Sequence, residues 1–257
     1  AIESIGRFTL NTSSSLGGTL TFVAQVILRM FEKRSYNSAS RMVFINQTYF
    51  TAVQILPLFL FVAVIFGSLV NGMAFQVIKN LGLTEYLGHL LMRFIVTEIS
   101  PFITVLLIAL RSSSAINTEI AVMKVNRELD TLESFNIDLI HYLFIPRILS
   151  GMISMVLLSG LFSLVVLSIG LLVSSLIFAS VDAYMDTLLR SADLADVIVV
   201  LIKCATFGFF ITLIPIRLGL NASQELTSIP VAVLNGMVKV FLAIVVIEVL
   251  SSIARFI

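Results

Sequence analysis

Tryptophan is missing from this 257-residue chain, cysteine occurs once, and charge is scarce: Asp, Glu, Lys and Arg together make up 12% of the residues. The lone Cys204 excludes an intramolecular disulfide, so cysteine usage says nothing about redox compartment. The two histidines, His89 and His141, lie far apart without companion ligands and read as ordinary interfacial residues rather than a metal centre. No charge occurs between Arg41 and Lys79 or between Arg147 and Asp182. A soluble core could not hide such runs, and the mean hydropathy of +1.08 agrees. A transmembrane barrel would instead alternate apolar and polar residues in segments of about 10. The chain therefore reads as a polytopic, all-α membrane protein. The net charge of +1, with its positive residues scattered, offers no stripe for nucleic acid.

Several chemistries are also missing. There is no Gly-x-x-x-x-Gly-Lys loop, and no Gly-Lys dipeptide at all, so the chain is expected not to be an enzyme that hydrolyses ATP. Neither Gly-x-Ser-x-Gly nor His-Glu-x-x-His is present, which leaves an intramembrane hydrolase without support. The opening "AIESIGRFTLNTSSSLGG" lacks a short apolar region with a cleavage site, so a first span inserting as its own signal is expected.

What is present is a series of apolar stretches. Spans are predicted at about 47–71, 92–117, 142–180, 197–220 and 231–256. The third is too long for one straight crossing and must tilt, kink or project. Pro57 and Pro101 fall inside or near spans, where neighbours must satisfy the backbone groups they free. Ahead of the spans, Leu10, Leu16, Leu20, Val23, Ile27 and Met30 recur at roughly helical spacing, followed by Arg29, Lys33 and Arg34. That pattern predicts an interfacial helix within residues 1–46. No soluble domain or clear repeat appears, so residues 1–257 read as one polytopic membrane unit. With the N-terminus inside, the cytoplasmic side collects Arg7, Arg29, Lys33, Arg34, Arg41, Arg111, Lys124, Arg127, Arg147 and Arg217. Lys79, Arg93, Arg190 and Arg255 remain outside, together with the acidic loop "DAYMDTLLRSADLAD".

Between the second and third spans lies a charged island. "EIAVMKVNRELDTLESFNIDLIHYLFIPR", from Glu119 to Arg147, holds eight charged residues. Val125, Leu129, Leu132 and Phe135 share one helical face, while Glu128, Asp130 and Glu133 lie off it. A short amphipathic helix over about 119–136 is predicted, with Asn136 ending it and Asp138 capping the next. Within the spans, Glu98, Lys203, Lys239 and Glu248 are candidates for function, because ionisable groups at membrane depth are costly without a role. Glu98 and Lys203 match in depth and could pair. The pairs Ser150/Ser154 and Ser159/Ser163 allow close helix packing, expected within one subunit.

The region "EISPFITVLLIALRSSSAINTEIAVMKVNRELDTLESFNIDLIHYLFIPR" resembles the signature of the MlaE permease family, the membrane subunits of MCE-type ABC lipid transporters. Matching positions are Glu98, Pro101, Arg111, Glu119, Met123, Lys124, Val125, Asp130, Leu132, Glu133, Asp138, Tyr142, Leu143, Pro146 and Arg147. The chain departs from the pattern at Thr97, where the family often has Arg, and at Ser100, Ala121 and Asn136, where it has Gly. The resemblance implies five transmembrane helices and a cytoplasmic coupling helix that docks on a separate ATPase. It implies coupling residues Glu119, Lys124, Arg127, Glu128, Leu129, Asp130, Leu132 and Glu133, with Leu129 and Leu132 as the apolar anchor. It further implies a homodimer in the bacterial inner membrane and a periplasmic MCE-domain partner. The substrate would be phospholipid, and ATP with Mg would be used by the partner rather than bound here. Glu98 and Lys203 would handle the lipid headgroup, with acyl chains near Leu69, Met73 and Phe75. The rival readings are a stand-alone channel or carrier for ions or small solutes, which scarce in-span charge disfavours, and a purely structural membrane anchor.

Overall fold

The computed structural model describes residues 21–32, 37–81, 91–177, 181–191, 193–223 and 225–256, and every regular element among them is helical. Helix α1 covers Thr21–Met30. It is followed by α2 (Ser38–Thr48), α3 (Leu56–Leu81), α4 (Ser100–Ile108), α5 (Ser114–Val125), α6 (Glu128–Ser134), α7 (Ile145–Ile177), α8 (Val181–Ser191), α9 (Leu194–Leu220) and α10 (Ser228–Phe256). Wider π-helical turns at Tyr49–Val53, Leu91–Ile99, Ala109–Ser113 and Ile140–Phe144 lie next to these helices. Five continuous runs are long and apolar enough to cross a bilayer: Ser38–Val77, Leu91–Val125, Ile140–Ser175, Leu194–Leu220 and Ser228–Ala254. The five predicted spans are all there. The first spanning run starts at Ser38, inside the segment assigned to the N-terminal region.

The expected N-terminal helix is present in part. Leu10, Leu16, Leu20, Lys33 and Arg34 lie outside the described residues, as does His89. In α1, Phe22 and Val26 are buried while Ile27, Leu28 and the following Phe31 face outward. Phe22 meets Phe144 edge-on at 6.2 Å, and the Arg217 guanidinium lies 5.3 Å from the Phe22 ring centre. Arg29 pairs with Asp138 at 2.7 Å, so α1 is fastened to the turn that follows α6.

Packing is tightest where α7 crosses α9. A Cβ placed on Gly208 would come within 2.5 Å of the Met152 backbone, and one on Gly151 within 2.2 Å of Thr212. Only glycine lets the two backbones approach so closely. The serine pairs of α7 serve the same intramolecular packing, as expected. Ser150 and Ser154 are fully buried, and Ser100 Oγ donates to the Ser159 carbonyl at 2.5 Å. At the far end, Tyr184 of α8 tucks between α3 and α7 and stacks on Phe75 at 5.9 Å. Burial pushes its phenol up to about 12. Helix α10 is the most loosely held: only 11% of its apolar window is buried, against 33% for the third span.

Candidate functional site

Lys203 is a charged group buried at membrane depth, its side chain 3% exposed. It sits in α9 and reaches two other spans. Its ammonium meets the carboxylate of Glu98 at 2.6 Å and that of Glu248, in α10, at 2.9 Å. The pairing of Glu98 with Lys203 expected from depth is present. Glu248 as a third member was not expected, because depth along a helix does not reveal which way a residue faces.

Proline explains why the lysine is drawn to this place. Pro101 has no N–H to offer the carbonyl four residues earlier, that of Thr97. Lys203 Nζ donates to that carbonyl at 3.3 Å. The Thr97 side chain donates instead to the Arg93 carbonyl. Around Glu98 the helix runs in wide turns, Leu91–Ile99, a geometry found often at functional sites. One ammonium thus serves a freed backbone carbonyl and two carboxylates. Among the described residues Glu248 Oε2 is buried without a hydrogen-bond partner. Lys203 also lines a groove of about 560 Å³ between α9 and α10, whose walls are apolar: Val199, Ile202, Phe210, Val246 and Leu250. The arrangement can hold a polar group at the charged cluster while chains lie along the apolar walls.

The expected chain-contact residues do not gather here. Leu69 and Met73 are exposed on α3, 54% and 66%, and neither lines the groove. Phe75 is 2% exposed and packed under Tyr184, so its part is structural. The groove residues of α9 and α10 went unseen because uniformly apolar helices give no period that marks an inner face.

The charged island also differs from the single helix expected. Helix α5 continues to Val125, so Glu119 and Lys124 belong to the end of the second span. Arg127 then adopts the left-handed conformation, φ 58°, and turns the chain into the seven-residue α6. Asn136, φ 61°, closes α6, and Asp138 accepts from the Ile140 N–H at 3.0 Å, both as anticipated. Leu129 is 2% exposed and Leu132 half-buried, both packed on the chain's own core near Phe144 and Ile148. They are therefore inward anchors rather than free docking residues. Facing outward are Arg127, Glu128, Asp130, Glu133 and Phe135, the last 73% exposed. Lys124 lies 3.7 Å from Asp130, and Glu119 pairs with the buried Arg147 at 2.5 Å.

Comparison with known proteins places this architecture in a known group. The family model described as Permease MlaE matches residues 44–254. The "Probable ABC transporter permease protein slr1045" of Synechocystis sp. is 30% identical over 63% of this chain and 62% of its own length. "Protein TRIGALACTOSYLDIACYLGLYCEROL 1, chloroplastic" of Arabidopsis thaliana is 29% identical over 67% and 52%. The "Intermembrane phospholipid transport system permease protein MlaE" of Haemophilus influenzae is 31% identical over 46% and 45%. The chain thus spans less than two thirds of the length of these relatives.

Proposed function

The chain belongs to the MlaE permease family, and from that premise we propose that it is the membrane subunit of an ABC transporter that moves phospholipid between the bacterial inner membrane and the outer envelope. A separate cytoplasmic ATPase, using ATP and Mg, would drive it. The observation that carries the reading is the apolar groove between α9 and α10 with Lys203, the hub of the Glu98–Lys203–Glu248 cluster, in its wall. A phospholipid needs both features, a polar contact for its headgroup and apolar walls for its chains. The Lys and Arg distribution supports a cytoplasmic N-terminus and a cytoplasmic α6. Helix α10, its apolar face largely uncovered, is the natural contact for a second copy in a homodimer. The end carrying α8 faces a periplasmic MCE-domain protein.

The experiment is reconstitution with the cognate ATPase and MCE partner in proteoliposomes. Glu98→Gln leaves Lys203 paired with Glu248, so the complex should assemble normally yet lose most lipid transport and lipid-stimulated ATP hydrolysis. Full transport by an assembled Glu98→Gln complex removes the cluster from the lipid path. Coupling is assigned to the outward side of α6. Phe135→Asp should abolish ATPase co-purification with the fold intact, since exposed aromatics anchor interfaces. Leu129→Asp instead buries a charge and should lower the yield of folded protein. ATPase co-purification at the wild-type level with Phe135→Asp would overturn that assignment.

A further inference from the structure

A second cleft, of about 690 Å³, lies at the α6 end, between the last turn of α9, the link after it and the first turns of α10. Its lining is polar where the first groove is apolar, with Asn221, Glu225, Thr227, Ser228, Asn235 and Lys239 among its residues. Ser228, Asn235 and Lys239 are seven and four residues apart, so they descend one face of α10. Lys239 sits eleven residues inside the helix, roughly 16 Å from its start at about 1.5 Å per residue. It is exposed and forms no hydrogen bond or ion pair with the described residues. The Asn221 and Asn235 amides are likewise without a partner among them. A lysine at that depth is costly unless something answers its charge, and Lys203 shows how this chain normally answers one. A helical side chain leans toward the helix N-terminus, which directs the Lys239 ammonium up the stripe toward the cleft mouth. Glu225, held by a 3.4 Å hydrogen bond from Thr227, stands in the link at that mouth.

We propose that this cleft binds the phosphate group of a lipid headgroup from the leaflet on the α6 side, with Lys239 and Asn235 on the phosphate and Glu225 facing an amine outside it. The order fits an amine-bearing phospholipid, whose phosphate lies deeper in the bilayer than its ammonium. The proposal rests on the lipid-transport reading only for the identity of that leaflet. It assigns a first holding site at the opposite end of the molecule from the Lys203 cluster.

The test uses the full-length protein in detergent, carrying Cys204→Ser and Val231→Cys, so that a reporter thiol sits in the cleft wall one helical turn from Asn235. Short-chain phosphatidylethanolamine should slow maleimide labelling of position 231 saturably, whereas short-chain diacylglycerol should not. Lys239→Met should weaken that protection about tenfold or more, the worth of one charge-assisted contact, and Lys239→Arg should restore it. Inorganic phosphate is run in parallel. Weak protection by it identifies the lipid as the source, whereas protection equal to the phospholipid's overturns the headgroup assignment in favour of a soluble anion. Equal protection by diacylglycerol, or protection unchanged in Lys239→Met, overturns the site altogether. The assay needs neither the ATPase nor transport, so its failure would leave the Lys203 groove standing, and the reverse holds too.

Discussion

Pro101 and Pro215 interrupt two spans in the same manner, and the chain compensates in two different ways. Each withholds an N–H from the carbonyl four residues earlier, Thr97 in one case and Ile211 in the other. Ile211 receives a hydrogen bond from Ser113 Oγ at 2.6 Å, a neutral hydroxyl 1% exposed. Thr97 receives the Lys203 ammonium, which brings Glu98 and Glu248 with it. A serine suffices to satisfy a freed carbonyl, and it does so without taking a charge out of water. Burying an ion costs several kcal/mol even after relaxation. The Pro101 region therefore carries charge beyond what its backbone requires, and that excess is what the proposed lipid contact would use.

The two repairs should respond differently to substitution. Lys203→Met leaves two carboxylates without their cation and should remove about 3–5 kcal/mol of stability, read as a lowered thermal midpoint in detergent together with lost lipid-stimulated ATP hydrolysis. An unchanged midpoint would erase the distinction between the regions. Ser113→Ala exposes one buried carbonyl and should cost about 1–3 kcal/mol, while transport per folded molecule stays at the wild-type level; a transport defect would make the Pro215 region functional as well. The smallest change is expected for Ser113→Ala combined with Pro215→Ala, where the new N–H at 215 takes the place of the hydroxyl. That double variant should return to within about 0.5 kcal/mol of the parent, a coupling typical of residues sharing one partner.

The spans were legible because hydropathy acts over some twenty residues at a time, and the corner at Asn136 because its side chain tolerates a left-handed backbone. The corner at Arg127 was not. Arginine carries no such signal, and at φ 58° it bears a cost of roughly 1–2 kcal/mol that only the surrounding packing can offset. Leu129 and Leu132 were read correctly as one apolar face, but a face does not say what covers it. Here it is the chain's own core, the cluster that also holds Phe144 and Ile148. Glu98 and Lys203 matched by depth, whereas Glu248 needed knowledge of helix rotation that a nearly uniform apolar span does not hold. The same lack hid the groove and misplaced Phe75.

The second span has a mechanical consequence. Leu91–Val125 is one continuous helical run of 35 residues, roughly 50 Å at about 1.5 Å per residue, with Pro101 and two wide turns along it. It holds Glu98 near one tip and ends against the left-handed corner at Arg127. With α6 set off from it by that corner, the pair has the form of a crank and its shaft. Torque applied to the short arm by a partner would turn the long one about its own axis. The carboxylate of Glu98 would swing with it, and its pairing with Lys203 would carry the movement to the fourth span.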